Sequence, residues 1–119
     1  MTNRTATVLR QMREAIGWIE ADTEGLDRAG FEHDRRARQL VERNLEILSE
    51  GSRRIPPDLQ ATEPDIDWSA LASLARVLRH EYHRVDPRQL WTLLTDKIGP
   101  LSAALRRLEQ RAQAASDDP

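Results

Sequence analysis

Apolar residues recur at three- and four-residue spacing along nearly the whole chain, and no β-branched stretch alternates apolar with polar. That period gathers an apolar stripe on one side of an α-helix, so it commits the chain to helices. Over about residues 5–24, Val8, Met12, Ala15, Ile16 and Ile19 make the first stripe. Gly25 followed by Leu26 reads as a helix stop with a hydrophobic clasp. A second helix is expected from near Asp34, with Ala37, Leu40, Val41, Leu45, Leu48 and Ser52 along one side. Asn44 and Gly51 fall near that stripe, where a small residue lets another helix approach. The stretch "RRIPPDLQATEPDID" carries three prolines and is expected to be a connecting loop with room for one short turn.

Asp67 is a suitable N-cap for a third helix, whose apolar series is Leu71, Leu74, Ala75, Leu78, Tyr82 and Val85. Asp86-Pro87 starts the last helix, since proline is favoured at the first helical position. Leu90, Trp91, Leu94, Ile98, Leu101, Leu105 and Leu108 line it, and Gly99-Pro100 is expected to kink it or split it into two. His33 falls in the loop after the first helix, and Trp18, Trp68 and Trp91 read as packing residues. Four long helices with short connections imply an all-α antiparallel bundle of four to five helices.

The 119 residues suffice for one domain, placed at residues 1–113, with a flexible acidic tail at 114–119. A bundle with only 4% aromatic residues has a modest core and, by its size, is expected to gain stability by dimerising. The formal net charge of −2 does not announce a nucleic-acid binder, yet the basic residues are seventeen arginines against one lysine, Lys97. Arginine makes bidentate phosphate contacts that lysine cannot. There is no cysteine, hence no disulfide framework and no thiolate metal site. No apolar run approaches the roughly 20 residues of a membrane span, and a cytoplasmic location without membrane contact is expected.

One stretch carries chemistry. Residues 76–86, "RVLRHEYHRVD", hold two of the three histidines and the lone tyrosine. If residues 68–84 are helical, Ser73, Arg76, His80, His83 and Arg84 project opposite the leucine stripe, with Arg76 beside His80 and Arg79 beside His83. Histidine can give or take a proton near neutral pH, and guanidinium holds phosphate and stabilises growing negative charge. These are the minimal parts for RNA cleavage without a metal. On chemistry alone such a face is more often simply solvated. A metal site is the poorer fit: His80 and His83 with Glu81 or Asp86 lack a fixed further ligand, and the arginines disfavour a dication. Tyr82 falls on the apolar stripe and reads as a core aromatic. No cofactor is called for.

The text "DIDWSALASLARVLR" followed by "HEYHRVD" resembles the signature region of the HepT-like toxins of the HEPN superfamily. "DTEGLDRAGF" (Asp22 to Phe31), "RNLEILSEGS" (Arg43 to Ser52), the proline loop, Trp68 before the motif helix, Val85-Asp86 after it and the following Leu90-Trp91 come in the family's order. The resemblance spans about residues 8–108. It implies a HEPN bundle that dimerises through its motif helices, with a metal-independent ribonuclease site shared across the cleft. It also implies a partner, a minimal nucleotidyltransferase antitoxin of the MntA type, which in some pairs adds AMP to the motif tyrosine, here Tyr82.

The family motif is arginine, four residues, histidine, one residue, tyrosine. His80 and Tyr82 match it, whereas counting from Trp68 puts Ala75 at the arginine position and Arg76 one place later. The resemblance therefore implies Arg76 and His80 as catalytic residues, with Arg79, His83 and Arg84 holding RNA, either tRNA or mRNA. The alternative is a HEPN binding module that partners the nucleotidyltransferase without cutting RNA.

Overall fold

Three aspartates set where helices begin. Asp27 accepts a hydrogen bond from the Gly30 amide at 2.7 Å, Asp34 one from Ala37 at 2.9 Å, and Asp67 one from Ala70 at 3.0 Å. Each satisfies an amide that the first helical turn leaves without a partner. The computed structural model describes residues 4–81 and 85–117. Among these it contains no strand and six helices: α1 (Arg4–Thr23), α2 (Arg28–His33), α3 (Arg35–Ser52), α4 (Pro57–Gln60), α5 (Trp68–His80) and α6 (Pro87–Asp117). The all-α bundle expected from periodicity is the observed fold.

α1 packs on α3 and α6, α3 packs on α5 as well, and α2 closes against α3 and α6. The shared core comprises Leu9, Met12, Ile16 and Ile19 of α1, Val41, Leu45 and Leu48 of α3, and Leu101, Leu105 and Leu108 of α6, all buried. Burying a side chain of this size stabilises by roughly 1.5–3 kcal/mol, so these stripes outweigh any local propensity. Gly25 closes α1 with φ at 78°, a conformation that costs glycine nothing. Gly51 serves a different need. A Cβ there would stand 2.6 Å from Cγ and 2.8 Å from Sδ of Met12, so its missing side chain is what lets α3 approach α1.

Several expectations need correction. The loop assigned to His33 is the helix α2, which Asp27 caps and Phe31 anchors; Phe31 is fully buried, its ring centroid 5.4 Å from that of Trp91. Trp18 is not a packing residue, being 63% exposed on the outer face of α1. Gly99-Pro100 does not split the last helix, because α6 runs unbroken from Pro87 to Asp117. Pro100 lies on the exposed side of the helix, which continues past it.

The proline loop is pinned rather than slack. Glu63 is buried and accepts hydrogen bonds from Arg107 Nε at 3.0 Å to both carboxylate oxygens and from Nη2 at 2.6 Å, with Arg111 Nη2 3.6 Å away. Those hydrogen bonds hold the Glu63 carboxyl below its ordinary value. Trp68 Nε1 donates to the carbonyls of Gln60 and Glu63, at 3.0 and 3.2 Å, and thereby fixes the start of α5. A groove of about 480 Å³ opens between α5 and α6, with Leu71, Leu74, Leu93 and Leu101 on its walls.

Candidate functional site

α5 carries the candidate residues, and its seat on α3 decides which of them face outward. Ser49 of α3 is fully buried; its hydroxyl donates to the Ala72 carbonyl at 3.0 Å and accepts from the Ala75 amide at 3.0 Å. Arg53 adds two further bonds to the Ala72 carbonyl, from Nε at 3.1 Å and Nη2 at 2.9 Å. Small alanines on the contact face allow this approach. Ala75 and Leu78 are buried against α3 and the core, while Arg76, Arg79 and His80 are exposed. Ala75, at the family's arginine position by ungapped counting, thus points into the protein with 0% exposure.

On an ideal helix Arg76 and His80 lie about 40° apart and Arg76 and Arg79 about 60° apart on the other side. Arg76 therefore stands between Arg79 and His80 on one solvent-facing arc. Arg79 Nη1 lies 3.7 Å from Glu50 Oε1, whereas Arg76 makes no ion pair among the described residues. His80 is the last residue of the helix; Glu81 has φ −120° and ψ 25°, and its amide still reaches the Val77 carbonyl. The helix expected to reach residue 84 accordingly stops four residues earlier. Pairing of Arg79 with His83 and the place of Tyr82 on the apolar stripe both presupposed that longer helix. Tyr82, His83 and Arg84 lie outside the described residues.

What the arrangement offers is a proton carrier and a free guanidinium, one helical turn apart, open to a large polyanionic ligand. Among the described residues no three of histidine, aspartate and glutamate gather as metal ligands, and no helix is long and apolar enough to cross a membrane. Sequence reasoning missed Ser49 and Arg53, which position α5, and Glu50, which pairs with Arg79. The available signal was the polar run inside the apolar pattern of α3: Ser49, Ser52 and Arg53 recur at the spacing of one helix face.

Comparison with known proteins agrees with the geometry. The family described as HepT-like, "Ribonuclease HepT-like", matches residues 12–108, which include α5 and the whole candidate site. A protein of Thermococcus cleftensis named "Probable ribonuclease HepT" is 33% identical over 102 residues, covering 86% of this chain and 93% of that protein. A Methanocaldococcus jannaschii protein named "Putative RNase MJ1380" is 30% identical over 76 residues, covering 64% of this chain and 70% of its own length. A second one from that organism, "Putative RNase MJ0127", is 24% identical over 91 residues, covering 76% and 72%. No solved structure matches significantly. With a family match across most of its length and an all-α bundle that presents arginine and histidine from α5, the chain belongs to the HepT-like ribonuclease family.

Proposed function

We propose that the protein is a metal-independent RNA endonuclease, with His80 moving the proton and Arg76 stabilising charge at the scissile phosphate. The observation that carries this reading is the exposed arc at the end of α5, where Arg76 and His80 lie one turn apart with no ion pair on Arg76 among the described residues. The ribose 2′-hydroxyl attacks the adjacent phosphorus as its proton leaves. The new 2′-O–P bond forms, the P–O5′ bond breaks, and the 5′-oxygen gains a proton. Products are a 2′,3′-cyclic phosphate and a 5′-hydroxyl. His80 can serve at either proton transfer, and a guanidinium suits the doubly charged, crowded phosphorane.

We infer the biological setting from what the family resemblance implies. The protein acts as the toxin of a toxin–antitoxin pair, works as a homodimer with the two α5 helices facing one cleft, and cuts tRNA or mRNA. Its partner is a nucleotidyltransferase antitoxin that silences it, with Tyr82 as the AMP acceptor. Phosphate charge placed beside the arginines would repel RNA, which makes the modification an effective switch.

A second reading rests on Ala75. A chain whose motif arginine has become a core alanine can serve as a binding module that presents itself to the nucleotidyltransferase without cleaving. Incubation of purified, unmodified protein with labelled tRNA and mRNA in EDTA separates the two. Fragments with cyclic-phosphate ends support the nuclease; intact RNA, with Tyr82 shown by mass spectrometry to be unmodified, supports the module.

A further inference from the structure

Beside the arc on α5 lies a pocket of about 230 Å³, walled by α1, by α3 and its following turn, and by Arg79 of α5. Three guanidiniums line it, Arg43, Arg54 and Arg79, against two carboxylates, Glu46 and Glu50. The surplus is one positive charge in a protein whose net charge is −2. Arg43 and Arg79 are each tied to a carboxylate, Arg43 Nη1 to Glu46 Oε2 at 3.5 Å and Arg79 Nη1 to Glu50 Oε1 at 3.7 Å. Both distances are long and the arginine side chains are half or more exposed, so these pairs hold weakly and exchange readily for a better partner. Arg54 has no side-chain partner among the described residues.

We propose that this pocket is a subsite for a nucleotide flanking the cleaved bond, with its phosphate held by Arg54 and Arg79 and with Glu50 as the counter-ion that the phosphate displaces from Arg79. The proposal rests on the ribonuclease reading and adds residues from α3 and the turn after it to a site otherwise confined to α5. Its size, below the roughly 300 Å³ at which sites enclosing whole small ligands begin, suits one phosphodiester with its sugar. Its position supports continuity, since Arg79 belongs both to the pocket and to the exposed arc that carries Arg76 and His80. Guanidinium forks suit phosphate oxygens, and the two glutamates offer acceptors to ribose hydroxyls or base amino groups. Met12 and Gly51 lie at the pocket, where the glycine's missing Cβ keeps α1 and α3 close.

The test uses a fluorescent 2′-O-methyl hexaribonucleotide, which lacks the attacking hydroxyl and so reports binding apart from cleavage. Anisotropy titrations over a range of salt compare wild type with Arg54→Ala, Glu50→Gln and, as an equal loss of charge, Arg36→Ala. Arg36 is exposed near the far end of α3, about 27 Å along the helix axis from Arg54. Expected are a five- to tenfold weakening for Arg54→Ala and a salt slope smaller by about 0.7, the share of one phosphate on a single strand. Glu50→Gln, which frees Arg79, is expected to tighten binding severalfold, and Arg36→Ala to leave it unchanged. A shift of the Met12 methyl resonance on titration would place the ligand in the pocket. Equal affinity in Arg54→Ala and wild type, or weaker binding in Glu50→Gln, would overturn the subsite. If wild type cuts RNA while Arg54→Ala binds normally, the subsite fails alone. If wild type binds as described without cutting, the nuclease reading fails alone.

Discussion

The amide of Ala75 donates a 3.0 Å hydrogen bond to the hydroxyl oxygen of Ser49 on the neighbouring helix. Together with the bonds from Ser49 and Arg53 to the Ala72 carbonyl, that contact holds the rotation of α5 about its axis, turning Ala75 inward and Arg76 outward. An arginine at position 75 would carry a charge into a fully closed contact. Ala75→Arg should therefore destabilise the fold by about 3 kcal/mol, through overpacking and an unpaired buried charge, rather than restore a catalytic arginine. Urea denaturation measures this, and a variant as stable as wild type would show that position 75 faces solvent. Ser49→Ala should cost about 1–2 kcal/mol by removing the hydroxyl that both α5 groups use.

Two glycines within helices should respond with opposite sign to the same change. Gly17 is exposed in α1, and a Cβ there meets nothing within 4 Å, so Gly17→Ala should stabilise by about 0.5–1 kcal/mol through lower backbone entropy in the unfolded chain. Gly51→Ala gains the same term but drives Cβ to 2.6 Å from Met12 Cγ, near the root of a fully buried side chain, so the α1–α3 contact must shift. A net loss of about 1–2 kcal/mol is expected. Thermal melts of the two variants, run together, should move in opposite directions.

The Glu63–Arg107 contact predicts a dependence on acid. Arg107 holds the Glu63 carboxyl below the ordinary 4.5, so the folded state prefers the charged form more than the unfolded state does. This contribution is fully present above pH 4.5 and is lost as pH falls through the lower folded value. Because the Arg107 side chain is 52% exposed, solvent screens the pair and Glu63→Gln should cost only about 1 kcal/mol at pH 7. The gap between the variant and wild type should close as pH falls below 4.5 and through the lowered folded value. A gap that widened in acid would contradict the assignment.

Much of this molecule is legible in its residues because the signals are local. Asp67 caps the helix it was expected to cap, α3 starts beside Asp34 where the pattern placed it, and Gly25 with Leu26 ends α1 where the pattern stops. What escaped were features decided by tertiary contact. α2 has six residues, too few to show a period, and exists because Phe31 finds Trp91 on α6. Trp18 looks like core by type and is left outside because α1 already buries its full stripe against α3 and α6. The end of α5 at His80 carries no proline or glycine to mark it. Of the candidate site, Arg76 and His80 were legible as neighbours on one exposed face. The Arg79–Glu50 contact was not, since it joins residues 29 apart in sequence that only helix packing brings together.

Direct measurement of cleavage by His80→Ala bears most closely on the whole account. Single-turnover rates on a labelled RNA in EDTA should fall at least a hundredfold relative to wild type, the usual share of a general acid or base, while binding of the 2′-O-methyl hexamer stays within twofold. Cleavage by His80→Ala at the wild-type rate would contradict the account, because the proton carrier would then lie elsewhere than at the end of α5.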